Sequence, residues 1–223
     1  MKSIVIIAKG PSILRSNRKH IDSFDEVAIC GRPIFNPKYE KLYGSRAHYD
    51  FSNCAYPRHY SAKLMNKLGL KKIYNTGNYS KRVSKKTRDF CPSGEVEYDP
   101  KCRTNLKSYF KNKYDLDPSS GSLALEYLLQ TKKYNKIGLI GYDLMAVGED
   151  AYYFPKHELQ SNVLKFINDG KTFDKKGVRI FKSGHDPDKT FKYMIDIFKN
   201  NPHIKFEILS NRKFPKLKNL SII

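Results

Sequence analysis

The chain has no apolar run of the roughly 18 residues that a membrane-crossing helix needs, so no helical span is expected. The first apolar run, Ile4–Ala8, is too short for a signal peptide and reads as a strand. Cys30, Cys54, Cys91 and Cys102 form no C-x-x-C pair, so the expectation is reduced thiols in a cytoplasmic compartment and no zinc site. Neither G-x-G-x-x-G nor a Walker lysine motif is present, which argues against NAD, FAD and an ordinary P-loop site. Internal repeats and low-complexity linkers are absent too. Acidic residues are the last shortage: 22 Asp and Glu stand against 42 Lys and Arg.

What is present points to a folded catalytic or binding domain. A length of 223 residues can bury one sizeable core and reads as a single domain over 1–223, with a small lid near 145–156. A hydrophobic content of 39%, with 16 Tyr and 13 Phe, argues against disorder despite the charge. Between Lys63 and Lys113, 14 Lys or Arg face four Asp or Glu, which is half of the net charge of +20. Such an excess favours anionic partners: a phosphate-bearing substrate, nucleic acid or an anionic membrane surface.

The pattern alternates strands and helices. Ser3–Ala8 is a continuous apolar run of the kind buried on both faces in a parallel sheet. It breaks at Lys9-Gly10-Pro11-Ser12, where Ser12 begins a short helix. Further strands are expected at Phe24–Cys30, Ala47–Phe51, Lys72–Asn75, Ile137–Ile140, Val178–Phe181 and Lys205–Leu209. Helices are expected near Arg58–Leu68, Asn105–Lys113, His157–Asn168 and Asp188–Lys199. A central helix opens at Asp117-Pro118-Ser119-Ser120-Gly121, where Ser119 or Ser120 caps it and Leu125, Leu128 and Leu129 form its apolar face. Thr76–Asp115 reads otherwise as loops. Its Tyr79, Tyr98, Tyr109 and Phe110, interleaved with lysines, read as half-buried tyrosines and phenylalanine more readily than as base-stacking platforms. The fold class expected is α/β, a mostly parallel sheet flanked by helices in a Rossmann-like arrangement.

Ligands bind such sheets at the carboxyl ends of the strands. Those ends are Lys9–Ser12, Gly31–Arg32, Asp50–Asn53, Gly141–Asp143 and Ser183–His185, all rich in small, polar and ionisable residues. The start of the central helix adds backbone N–H groups and hydroxyls suited to an anion.

Lys9-Gly10-Pro11-Ser12, Ser119-Ser120-Gly121, Gly141-Tyr142-Asp143 and Gly184-His185, in that order, resemble the bacterial sialyltransferases that use CMP-sialic acid. Pro118-Ser119-Ser120-Gly121-x-Leu123-Ala124 is also similar to the small sialyl motif of the animal enzymes, and Ile21–Val27 to the end of their large motif. The resemblance implies a glycosyltransferase, inverting and metal-independent. It would move a sialic-acid-like sugar from a CMP-linked donor to a carbohydrate acceptor, with no cofactor besides the donor. It places Gly10, Pro11 and Ser12 at the donor's phosphate and ribose, and Ser119, Ser120 and Gly121 at the nucleotide and sugar carboxylate. Lys9, Asp50 and Asp143 complete the donor-binding candidates. His185 falls at the general base, and Tyr152 or Tyr153 at the leaving phosphate, alongside Lys9. An imidazole suits the removal of the acceptor's proton near neutrality. His48, His59 and His157 are weaker candidates for the base. Lys9 and Asp50 stand where the family has asparagines, as does Gly31 or Arg32, and Met145 stands where it has a tyrosine. A related donor such as CMP-Kdo is therefore open, as are a nucleotide-binding member without activity and a nucleic-acid-binding or modifying protein.

Overall fold

Residues 2–30, 42–52, 66–77, 96–144 and 186–223 are described by a computed structural model. Strand β1 (Lys2–Ile7) lies inside the sheet, and its apolar run follows from that place. Side chains alternate between faces along a strand. Ile4 and Ile6 join one buried cluster while Val5 and Ile7 join another on the opposite face.

Strands β2 (Glu26–Cys30), β3 (Tyr49–Ser52), β4 (Lys72–Asn75) and β5 (Glu97–Asp99) follow one another outward from β1. On its other side lie β6 (Tyr134–Ile140), β7 (Lys205–Leu209) and β8 (Leu220–Ile222). The order is β5-β4-β3-β2-β1-β6-β7-β8, and every pairing is parallel. Strand order therefore reverses at β1 and β6, which run side by side from Ser3↔Lys136 to Ile7↔Ile140. A crevice opens at the carboxyl edge of such a switch point. The expected α/β parallel architecture is the observed one.

Helices α2 (Cys102–Tyr114), α3 (Ser120–Gln130) and α4 (Pro187–Asn200) contribute to the cluster on the Ile4–Ile6 face. A one-turn 3-10 helix, Pro11–Arg15, and α1 (Arg18–Asp22) lie on the other face through Ile13 and Ile21. Asn17 caps α1 by accepting from the His20 N–H at 2.8 Å. Phe110, fully buried, and Tyr114 sit in the core, while Tyr98 and Tyr109 are partly buried against it. Tyr98 and Tyr109 are half-buried as expected, Phe110 belongs to the core instead, and Tyr79 lies outside the described residues.

Several sequence-based boundaries move. β6 begins at Tyr134, three residues before the expected start, because Tyr134 pairs with Lys2 and its hydroxyl reaches Glu26 at 2.6 Å. α2 exceeds the expected Asn105–Lys113 at both ends, and Tyr114 is buried in its last turn. β5 interrupts the stretch read as loop, and β8 follows the strand expected to be last. The lid near 145–156, the helix at His157–Asn168 and the strand at Val178–Phe181 lie outside the described residues. Among the described residues, no helix is long and apolar enough to cross a membrane.

Candidate functional site

The carboxyl ends of β1 and β6 cross at two glycines. The Gly10 N–H donates to the Gly141 carbonyl at 3.0 Å, continuing the β1–β6 pairing by one more bond. A Cβ on Gly10 would overlap the Asp143 carboxylate and lie 2.5 Å from the Gly141 carbonyl oxygen. Gly141 has φ +73°, and a Cβ there would lie 2.7 Å from the Ala8 carbonyl oxygen. Both positions require glycine, the second on conformation as well as space.

Asp143 fastens this crossing. Its two carboxylate oxygens accept from the backbone N–H groups of Ser12, at 2.7 Å, and of Asn211. The Ser12 hydroxyl donates to the Leu209 carbonyl at 3.0 Å, and Ser12 is 1% exposed. Arg15 donates to the Ser210 carbonyl, and the Ser210 hydroxyl to the Tyr142 carbonyl. The ends of β1, β6 and β7 are thereby held as one platform. Lys9, Gly10 and Pro11 remain half-exposed on its rim.

Helix α3 starts beside this platform. Ser119 is the cap, and its hydroxyl accepts from the Ser122 N–H at 3.2 Å. The backbone N–H groups of Ser120 and Gly121 have no partner among the described residues. The first turn of a helix leaves such donors facing outward, with the positive end of the dipole behind them. The Ser120 hydroxyl lies 2.7 Å from that of Thr76, just past β4. Tyr142, just past β6, donates to the Gly121 carbonyl at 3.0 Å. Arg103, on the first turn of α2, donates to the carbonyls of Thr76 (3.1 Å) and Pro118 (3.2 Å) and to the Asp117 carboxylate.

Asp50 is fully buried on β3 and accepts from the Ser52 hydroxyl at 2.7 Å. Its charge and that of Lys9 both act on the Cys30 thiol. Burial pushes that thiol's pKa up, the Asp50 carboxylate pushes it further, and the Tyr142 hydroxyl and the Lys9 ammonium oppose them. Lys9 and Asp50 therefore bring opposite charges to the ends of β1 and β3, with Cys30 at the end of β2 between them.

Lys9, Gly10, Pro11, Ser12, Asp50, Ser119, Ser120, Gly121 and Asp143 are thus gathered along one edge of the sheet. The side chains of Ser12 and Asp143 are bonded to backbone there and form the frame. Tyr152, Tyr153, His185 and Met145 lie outside the described residues, as do Gly31, Arg32, His59 and His157. The residue after His185 is described: Asp186 caps α4, accepting from the N–H groups of Asp188 (2.8 Å) and Lys189 (3.0 Å). Arg212, beyond the end of β7, binds Asp188, so α4 also begins at the carboxyl edge. His48 stands at the opposite edge, at the start of β3. There its Nδ1 accepts from the Val27 N–H at 3.0 Å, and burial lowers its pKa.

Thr76, Arg103 and Tyr142 are absent from the sequence-based site. A hydroxyl followed by glycine directly after a short strand, Thr76-Gly77, is the signal that marks Thr76. Tyr142 lies inside a quoted motif with no role attached. Nothing local marks Arg103, whose partners lie 14 to 27 residues away. Among the described residues, no group of three His, Cys, Asp or Glu side chains is placed to hold a metal ion.

No protein-family model and no curated protein sequence matches the chain. Solved structures do. The sialyltransferase CstII of Campylobacter jejuni, in complex with the substrate analogue CMP-3FNeuAc, is similar at a TM-score of 0.60 and 18% identity. The match covers 94% of this chain and 81% of that one. The monofunctional alpha-2,3-sialyltransferase Cst-I of the same organism is similar at 0.59 and 20% identity, over 96% and 78%. A CST-II structure in complex with a trisaccharide acceptor and CMP is similar at 0.57 and 15% identity, over 93% and 81%. This chain has the fold of the bacterial sialyltransferases.

Proposed function

We propose that this chain is a sialyltransferase-like glycosyltransferase. In this reading it transfers a sialic-acid-like sugar from a CMP-linked donor to a carbohydrate acceptor. The observation that carries the reading is the start of α3 at the switch-point edge. Two backbone N–H groups without a partner among the described residues, those of Ser120 and Gly121, stand there with the Ser120 hydroxyl. That is the chemistry an anionic phosphate or carboxylate needs. The solved structures of the same fold support the choice of ligand, since they hold CMP, a CMP-sugar analogue and a trisaccharide acceptor.

The reaction is a single displacement with inversion, and no metal takes part. The acceptor oxygen attacks the anomeric carbon of the sugar while the bond from that carbon to the phosphate oxygen breaks. CMP leaves with the electron pair, so negative charge grows on its phosphate. Pre-aligned donors at the start of α3 stabilise that charge more in the transition state than in the bound donor. The Lys9 ammonium and the hydroxyl of Tyr152 or Tyr153 add to them. His185 takes the acceptor's proton. Gly10 and Pro11 form the wall against the ribose, and Ser12 and Asp143 hold that wall in place.

The test is a panel of nucleotides. CMP should raise the melting temperature of the protein, while AMP, GMP and UMP at the same concentration should leave it unchanged. A protein whose melting is indifferent to CMP would overturn the reading. If CMP binds, CMP-sialic acid and CMP-Kdo compared as donors identify the sugar.

A further inference from the structure

We propose that Arg103 is a positioning residue for the donor: its guanidinium fixes the chain that leads into α3, and so sets where Ser119, Ser120 and Gly121 present their polar groups. The inference rests on the donor reading above and assigns a residue to it from outside the rim.

The side chain of Arg103 is 13% exposed and spans two elements. One terminal nitrogen donates to the Thr76 carbonyl at the end of β4 and to the Pro118 carbonyl, two residues before α3. The other pairs with Asp117. A planar fork makes all three bonds from one rigid group, which a lysine ammonium on a flexible stem does not reproduce. The contact that depends on this brace is the one between the Thr76 and Ser120 hydroxyls, at 2.7 Å. Thr76 is itself fixed to the sheet, its N–H donating to the Ser52 carbonyl at 2.9 Å. The sheet thus sets Thr76, Arg103 ties the chain before α3 to Thr76, and the first turn of α3 follows. A displacement near 1 Å of such a turn is enough to misalign donors against a phosphate.

The experiment compares wild type, Arg103→Lys and Arg103→Gln in the full chain. Calorimetric titration with CMP is combined with hydrogen exchange of the peptide covering 117–123. Arg103→Gln should weaken CMP binding by about ten- to a hundredfold, the effect of losing charge-assisted hydrogen bonds. It should also speed exchange over 117–123, with β1 and β6 unchanged. Arg103→Lys keeps the charge without the fork and should restore little of the affinity. It carries the test alone if the Gln variant does not fold. A lower melting temperature with wild-type CMP affinity in the folded protein would mean a purely structural role and overturn the inference. Unchanged exchange over 117–123 would overturn it as well. Wild-type protein that binds no CMP would remove the donor reading and this one with it, whereas wild type that binds CMP and variants that bind it equally would remove this one alone.

Discussion

The Tyr142 hydroxyl donates to the Gly121 carbonyl across 3.0 Å, joining the carboxyl end of β6 to the first turn of α3. Both residues are buried, and burial raises the phenol's pKa well above its ordinary value, so the donor proton stays in place. A Cβ on Gly121 would lie 3.3 Å from the Tyr142 ring and hydroxyl, so any side chain there requires the ring to give way by a few tenths of an ångström. The bond ties the first turn of α3 to the end of β6.

Tyr142→Phe should therefore destabilise the fold by about 1 kcal/mol, the usual net value of one hydrogen bond, and weaken CMP binding. Gly121→Val should remove CMP binding and leave the fold largely intact, because the branched chain would displace the ring or the turn. Urea denaturation and CMP titration of both variants check this. A Gly121→Val protein with wild-type affinity for CMP would place the site elsewhere.

At the glycine crossing the obstacle is backbone and a buried carboxylate, neither of which can swing away. Gly10→Ala should cost about 3 kcal/mol, the upper end for overpacking in a well-packed core. A urea midpoint equal to that of wild type would contradict the close approach of Gly10 to Asp143 and the Gly141 carbonyl.

Where the sequence was legible, the reason lies in short-range chemistry. The run Ile4–Ile7 can be buried only between two covered faces, and a serine before a helical apolar pattern reads as a cap, which the structure places at Ser119 rather than Ser120. Strands β5 and β8 have three residues each, and β5 is mostly polar, so neither carries a periodic signal; pairing with β4 and β7 makes them strands. The gathering of Lys9, Asp50 and Asp143 at one edge was legible from the carboxyl ends of a parallel sheet, and Ser119 was added by the helix start it opens. What each polar atom does there was not. Asp143 and Ser12 bind backbone groups 68 to 197 residues away, and such partners leave no mark on the neighbouring sequence. The same distance effect hid Arg103.

At the amino edge, Glu26 is buried, and burial works to raise its pKa. The hydroxyl of Tyr134, then Lys2, the hydroxyl of Tyr49 and Lys71 outweigh it, holding the carboxyl below its usual value. A carboxyl whose pKa is depressed by folding stabilises the fold above its unfolded value, and that stability is lost as pH falls through the folded one. Stability should thus drop as pH falls below about 4.5, the ordinary value for a Glu. Glu26→Gln should be less stable than wild type at pH 7 and lose less on acidification. Urea midpoints measured from pH 7 to pH 3 decide it; parallel curves for the two proteins would contradict the role given to this carboxylate.

His185→Ala should lower the rate of sugar transfer by roughly two to four orders of magnitude, the contribution of a positioned base. CMP affinity should stay at the wild-type value, since the imidazole acts on the acceptor. Transfer rates equal in the two proteins would exclude His185 and make His157 the next residue to replace.

The central claim, donor sugar moved from CMP to an acceptor, is tested most directly by mass analysis of the products. Purified protein is incubated with CMP-sialic acid and a panel of oligosaccharide acceptors, in the presence of a metal chelator. The account predicts a product heavier than the acceptor by one sialic acid residue, together with an equal amount of CMP. Unchanged acceptor and intact donor, with CMP-Kdo failing in the same way, would contradict it.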